Sequence, residues 1–179
     1  MKGSTPLQSP PPAYVVARLR AAIPGLALST DVIVGFPGET VADYEATLDL
    51  MREIRFDSAF LFKYSARPDT KAWKWEETVP EDEKTARLTR LIDLQHAISG
   101  EIHDTLIGAE VEVLVEGNAR RDAGQLYGKS PQFKTVVFED DGTPPGALRR
   151  VRVLGATPIT LLGESVAAPK RDPGLVQLG

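Results

Sequence analysis

Over the first hundred residues, apolar positions recur at helical spacing or in short unbroken runs; after Gly108 they alternate. Val15, Leu19 and Ile23 lie on one helical face with Arg18 and Arg20 off it, and Pro24-Gly25 ends the helix they predict. Leu26–Gly35 is mostly apolar and β-branched, the pattern of a strand covered on both faces. Thr40 followed by Asp43 resembles a capping box with Asp in place of the usual Glu. It predicts a helix to about Ile54, with Leu48, Met51 and Ile54 in its buried stripe. Ala59-Phe60-Leu61-Phe62 predicts a second buried strand, so strand, helix and strand make one parallel βαβ unit. Pro80 suits the first turn of a long helix through about Leu106. Leu88, Leu91, Ile92, Ile98, Ile102 and Leu106 run along one side of it, and Gly100 lies off that stripe.

Beyond Gly108 the period is two. Val111, Val113 and Val115 alternate with Glu110, Glu112 and Glu116, and Phe133–Phe138, Arg149–Leu154 and Thr160–Leu162 predict further short strands. Glycines punctuate them, as in a small antiparallel barrel. The expected organisation is a flexible, proline-rich leader over 1–12, an α/β part over 13–107, an all-β part over 108–165 and a disordered tail over 166–179.

A length of 179 residues holds one ordinary domain or two small ones, and 42% hydrophobic with 26% charged residues is a globular composition. The net charge of −4 means that any RNA site has to be local. There is no cysteine, which excludes disulfides, thiolate zinc sites and cysteine-ligated iron–sulfur clusters within these residues. No apolar run approaches the roughly 20 residues of a membrane span, and residues 1–12 have neither the basic nor the apolar region of a signal peptide. The expectation is no membrane contact and a cytoplasmic setting.

The densest motif is Ser29-Thr30-Asp31-Val32-Ile33-Val34-Gly35-Phe36-Pro37-Gly38-Glu39-Thr40, a strand that ends at glycine, turns and enters a helix. Gly35 and Gly38 would let a ligand approach the backbone, and amides at the helix start favour polar or anionic groups. A tight strand–helix turn accounts for the same residues. Neither a P-loop nor a GxGxxG fingerprint is present. Val151 and Val153 face opposite to Arg150 and Arg152, so strand alternation predicts a basic stripe, which Arg120, Arg121, Lys129 and Lys134 would extend into a phosphate-tracking surface. Solvated charge balanced by Glu110, Glu112 and Glu116 is the alternative. His96 and His103 lie roughly 10 Å apart along one helix face, too far to share a metal ion, and read as solvated histidines. Trp73 and Trp75 suit either base stacking or packing of their loop.

As strings, STDVIVGFPGET, FDSAFLFKYSARPDT and VPEDEKTARLTRLIDLQ, in this order, resemble the radical-SAM tRNA methylthiotransferases. GAEVEVLVEG, GQLYGKSPQFKTVVF and LRRVRVLGATPITLLGE are similar to the TRAM domain that closes those enzymes, in the tRNA-modifying branch more than in the branch acting on a ribosomal protein. The resemblance covers about residues 21–165. It implies an α/β remnant of a radical-SAM partial TIM-type barrel followed by an all-β, OB-like TRAM barrel. Gly35, Phe36, Pro37, Gly38 and Glu39 would then shape an S-adenosylmethionine pocket. Ser29 and Asp31 would lie on the strand leading into it, with Tyr64, Ser65 and Arg67 at the mouth of the next strand. Asp69 departs from the family's glycine and Phe133 from its asparagine.

The resemblance further implies methylthiolation of carbon 2 of an isopentenyl-type adenosine beside the tRNA anticodon, with S-adenosylmethionine and [4Fe–4S] clusters as cofactors. The cluster loop, CxxxCxxC, is missing, so no cofactor is expected to be fully bound, no catalytic residue or metal ligand is assigned, and inactivity of the isolated chain is the expectation. Expected partners are the tRNA anticodon stem-loop, the remainder of such an enzyme, or a second copy through exposed strand edges. A non-enzymatic RNA-binding or assembly module built on the TRAM barrel is the alternative. Truncation, internal deletion and an expression fragment all remain open.

Overall fold

The structure, a computed structural model, describes residues 11–119 and 124–166. It divides into two compact units between Ile102 and His103, ahead of the period change at Gly108.

Helix α1, Pro12–Ala22, starts on proline, whose fixed φ suits a first turn, and Ile23 leaves it in extended conformation. The expected leader therefore loses its last residue to a helix; residues 1–10 lie outside the described ones. α1 buries none of its residues. Its anchor is polar: the Arg20 guanidinium donates to Ile54 O at 2.7 Å and Arg55 O at 3.0 Å. These carbonyls end helix α2, Val41–Ile54, where the helix dipole favours a cation. At the other end of α2 the predicted capping box is formed, Thr40 and Asp43 each satisfying the other's backbone amide. Tyr44, Leu48, Met51 and Ile54 make its buried stripe.

Strands β1, Ser29–Val34, and β2, Ser58–Lys63, pair in parallel with Asp31 opposite Phe60 and Ile33 opposite Phe62. Val32, Val34, Ala59 and Leu61 pack with Tyr44, Leu48, Met51 and Leu91. The opposite face is open: Ile33 is 51% exposed, Phe60 62% and Phe62 51%. Coverage on both faces, expected from the apolar runs, is not found, because the helices of this unit lie on one side only of a two-stranded sheet.

Helix α3, Glu81–Asp104, ends two residues before the predicted Leu106 and passes through Gly100 without a break. Its inner face mixes Leu91 and Ile98 with buried Gln95 and Ser99. Gln95 donates to Phe56 O at 2.9 Å and Ser99 to Asp57 O at 3.1 Å, so the two polar side chains hold the turn into β2.

In the second unit, β3 (Glu110–Asn118), β4 (Gln125–Lys129), β5 (Thr135–Glu139), β6 (Leu148–Ala156) and β7 (Leu161–Ser165) close a barrel in the order β3-β4-β5-β7-β6. Only β5 and β7 pair in parallel. The inward positions Val113, Val115, Leu126, Val136, Phe138, Val151, Val153 and Leu161 form one core. Two predictions shift here. β4 had no apolar alternation to announce it, since its inward positions are Leu126 and Gly128. A Cβ on Gly128 would lie 2.1 Å from the Leu114 carbonyl oxygen, so close strand approach requires glycine. Phe133, expected within a strand, instead takes φ +62 in the turn before β5. His103 is also corrected: it is 4% exposed, with Nδ1 2.7 Å from Thr157 O, because the helix end packs its ring under the β6–β7 turn. The expected tail begins at Val166; the rest of it lies outside the described residues.

Candidate functional site

The turn between β1 and α2 is tied to α3 from beneath. Gly35 takes φ +72, and a Cβ there would sit 2.4 Å from Lys84 Cγ, so the demand for glycine comes from the chain's own packing. Lys84 is buried, paired with Glu77, and its Nζ lies 5.7 Å from the Tyr64 ring centroid. Glu39 turns back into the loop: its Oε2 accepts from Gly35 N at 2.6 Å and from Arg87 Nη1 at 2.7 Å. Burial works against the Arg87 charge, but its bonds to Glu83 and Glu39 raise its pKa above the ordinary arginine value.

These contacts correct the picture of an amide-lined anion cradle. Gly38 N donates to Thr78 Oγ1 at 2.8 Å, Glu39 N to Phe36 O at 2.8 Å and Thr40 N to Asp43 at 2.9 Å. Those donors are occupied. What the turn offers is side-chain surface: Phe36 packs edge-on against Tyr64 at 5.0 Å and Trp75 at 5.8 Å. Ser29 and Asp31 lie on the open face of the sheet with Ile33, Phe60 and Phe62. Tyr64 is buried, and its hydroxyl has no partner among the described residues. Pro37 completes the turn, and Ser65 and Arg67 are exposed just past β2. Trp73 and Trp75 are half-exposed around an open hollow with Pro68, Asp69 and Thr70. Asp69 takes φ +67, a conformation that glycine adopts freely. Of the ten residues named for the pocket, Phe36 and Tyr64 are in ring contact and Glu39 bonds the Gly35 amide, while Ser29 lies at the opposite end of β1 from that turn. No cluster of potential metal ligands occurs among the described residues.

On the barrel, Arg150 and Arg152 point outward between buried Val151 and Val153, as alternation predicts. Their charge is shared: Glu110 pairs with Arg150 at 2.9 Å and with Arg152 at 3.0 Å, and Glu164 lies 3.8 Å from Arg152. Lys129 Nζ donates to Thr135 Oγ1 at 2.8 Å and lies 5.3 Å from the Phe133 ring centroid. Lys134 is 9% exposed, so it does not join a solvent-facing track. Arg120 and Arg121 lie outside the described residues. Directly before Arg150 on β6, Arg149 pairs with Asp141 at 2.7 Å. Burial would raise the Asp141 carboxyl, but hydrogen bonds from Thr143 and Ser165 and the charge of Arg149 bring its pKa below the ordinary value. The alternative of a stripe balanced by carboxylates holds for Glu110, while sequence reasoning passed over the buried cations Lys84 and Arg87 and the turn position of Phe133. A turn signal was present for the last, in the Ser130-Pro131-Gln132 that precedes it.

Residues 104–166 match the TRAM domain family, which accounts for the closed barrel. The chain as a whole is similar to tRNA-2-methylthio-N(6)-dimethylallyladenosine synthases. It is 48% identical over 158 residues to that of Myxococcus xanthus (strain DK1622), covering 87% of this chain and 34% of the relative. The Chlorobium limicola protein (strain DSM 245 / NBRC 103803 / 6330) is 49% identical over 148 residues, 82% of this chain and 34% of its own length. That of Porphyromonas gingivalis (strain ATCC BAA-308 / W83) is 46% identical over 158 residues, 88% and 34%. These matches are much longer than the TRAM domain and so take in the first unit. The chain spans about a third of the length of the curated relatives it matches, and it resembles the C-terminal part of a tRNA methylthiotransferase.

Proposed function

We propose that this chain is the tRNA-holding part of a radical-SAM tRNA methylthiotransferase: a TRAM barrel that grips tRNA near the anticodon, preceded by a slice of the catalytic barrel. The whole enzyme would methylthiolate carbon 2 of an isopentenyl-type adenosine in the cytoplasm; no helix among the described residues is long and apolar enough to cross a membrane. The observation that carries the RNA reading is the outward set Lys129, Arg150 and Arg152 on a barrel that matches the TRAM domain family. Support for the catalytic slice comes from the parallel β1-α2-β2 unit, whose open face carries Ser29, Asp31, Ile33, Phe60 and Phe62 as a strand pair lining a barrel would.

Phe36 and Tyr64 with that face would form one wall for S-adenosylmethionine, which in the family is cleaved to a radical at an iron–sulfur cluster. With no cysteine, this chain offers no thiolate for the cluster, and none of its residues is given a catalytic role. The same absence favours a second reading, an RNA-binding module that never catalyses. Anaerobic iron and sulfide reconstitution separates the two: cluster-dependent 5′-deoxyadenosine from the chain marks an enzyme, and RNA binding without it marks the module.

The RNA reading is tested by titrating an anticodon stem-loop at several salt concentrations. Arg150→Ala/Arg152→Ala weakens binding and flattens the log–log salt slope by about two units at most. Glu110→Gln, which leaves both arginines without their shared carboxylate, tightens binding. Unchanged affinity and slope in both variants would remove the stripe from the interface.

A further inference from the structure

Phe133 stands in a conformation and a place that packing does not explain. The β4–β5 hairpin is tight: Ser130 N donates to Lys134 O at 3.0 Å, Phe133 N to Ser130 O at 2.8 Å and Lys134 N to Ser130 Oγ at 3.2 Å. Three residues, Pro131, Gln132 and Phe133, make the turn, and the third takes the left-handed conformation that such hairpins give to glycine or asparagine. A bulky side chain at φ +62 is strained by its own Cβ. Burial gives nothing back, since Phe133 is 79% exposed. The fold thus keeps a costly residue for a ring that faces water.

The surroundings say what the ring could meet. Lys129 places its ammonium 5.3 Å from the ring centroid, and its bond to Thr135 holds it there. Lys129 lies opposite Leu114 across β3–β4, and Leu114 lies opposite Leu148 across β3–β6. Both leucines are exposed. Apolar surface from two strands therefore leads to a cation on the third and to an exposed aromatic ring.

We infer that Phe133 and Lys129 form a stacking platform for one unpaired RNA base. The ring takes the base's π-face, and the lysine attracts the adjacent phosphate. The ammonium beside the ring gives charge complementarity to a phosphate, which a purely apolar protein contact would leave unused. The inference rests on the RNA-binding reading above and adds to it the kind of nucleotide taken: one whose base is out of a helix.

The test uses the full chain and a stem-loop carrying 2-aminopurine at successive loop positions. Wild type quenches the probe at one position on binding, since stacking quenches its fluorescence. Phe133→Asn relaxes the turn, so it folds at least as stably by urea denaturation, yet binds about tenfold more weakly and loses the quench. Phe133→Trp keeps both affinity and quench. Equal affinity and quench in Phe133→Asn would overturn the platform while leaving RNA binding intact. Should wild type bind no RNA, the reading beneath it falls, and the platform with it. Unchanged RNA affinity combined with Phe133-dependent self-association in sedimentation would assign the ring to a protein contact and likewise overturn the proposal.

Discussion

The two sheets of this chain deal differently with strand edges. In the second unit five strands close on themselves, so each has two neighbours and one valine-rich core fills the interior. In the first unit two parallel strands leave two outer edges and one face with Ile33, Phe60 and Phe62 in water. Parallel strands of this kind are ordinarily covered on both faces, and an open edge is a template for association. The contrast teaches where each unit's stability lies. The barrel's is internal to its sheet; the βαβ slice takes its own from the helices on one side and from ion pairs such as Glu39–Arg87.

Phe138→Ala should have the largest effect. Phe138 is 1% exposed in the barrel core, and its loss costs about 3–5 kcal/mol. A urea melt followed by hydrogen exchange should show the barrel opening earlier while amides over 29–63 keep their rates. Linked loss in both units would break the comparison.

Next comes Glu39→Ala. It strips Arg87, 6% exposed, of a partner at 2.7 Å and leaves the Gly35 amide unsatisfied. Because Arg87 keeps Glu83, the expected cost is about 2–3 kcal/mol, confined to the first unit. Circular dichroism with a barrel-specific exchange readout checks both size and place. A change below ~0.5 kcal/mol would show that the turn does not depend on this carboxylate.

The smallest effect is the pH dependence of the barrel through Asp141. Its pKa is lowered in the fold, so the stability it contributes is complete above the unfolded carboxylate value, near ~4, and disappears as pH falls through the lower folded value. Asp141→Asn should be less stable than wild type at neutral pH, and the two curves should converge in acid. A gap that persists at pH values below the folded pKa would assign the effect to shape, not charge.

Much of this was legible in sequence because the physics was local. The Thr40–Asp43 box needs only one turn of chain, and the Val111/Val113/Val115 and Val151/Val153 alternation needs only the pleat. What escaped depends on the register between distant segments. Balancing of the arginine stripe by carboxylates was legible, but that Glu110 takes both Arg150 and Arg152 is set by the antiparallel β3–β6 pairing, which no spacing along one strand reveals. The burial of Gln95 and Ser99 follows from the Phe56 and Asp57 carbonyls that stand opposite them, some forty positions away. His103 read as a surface residue because its acceptor, Thr157 O, is fifty-four positions away. The strand–turn–helix motif was legible as a string; the occupation of its amides by Glu39, Thr78 and Asp43 was not.

We propose that RNA binding resides in the barrel and not in the βαβ slice. Native-state hydrogen exchange of the full chain, with and without a saturating anticodon stem-loop, tests it most directly. Free, amides over 29–63 should exchange through openings of lower free energy than those of the barrel core. With RNA, added protection should appear around Lys129–Thr135 and along 148–152, with 29–63 unchanged. Protection gained over 29–63 while the barrel stays as it was would contradict the account.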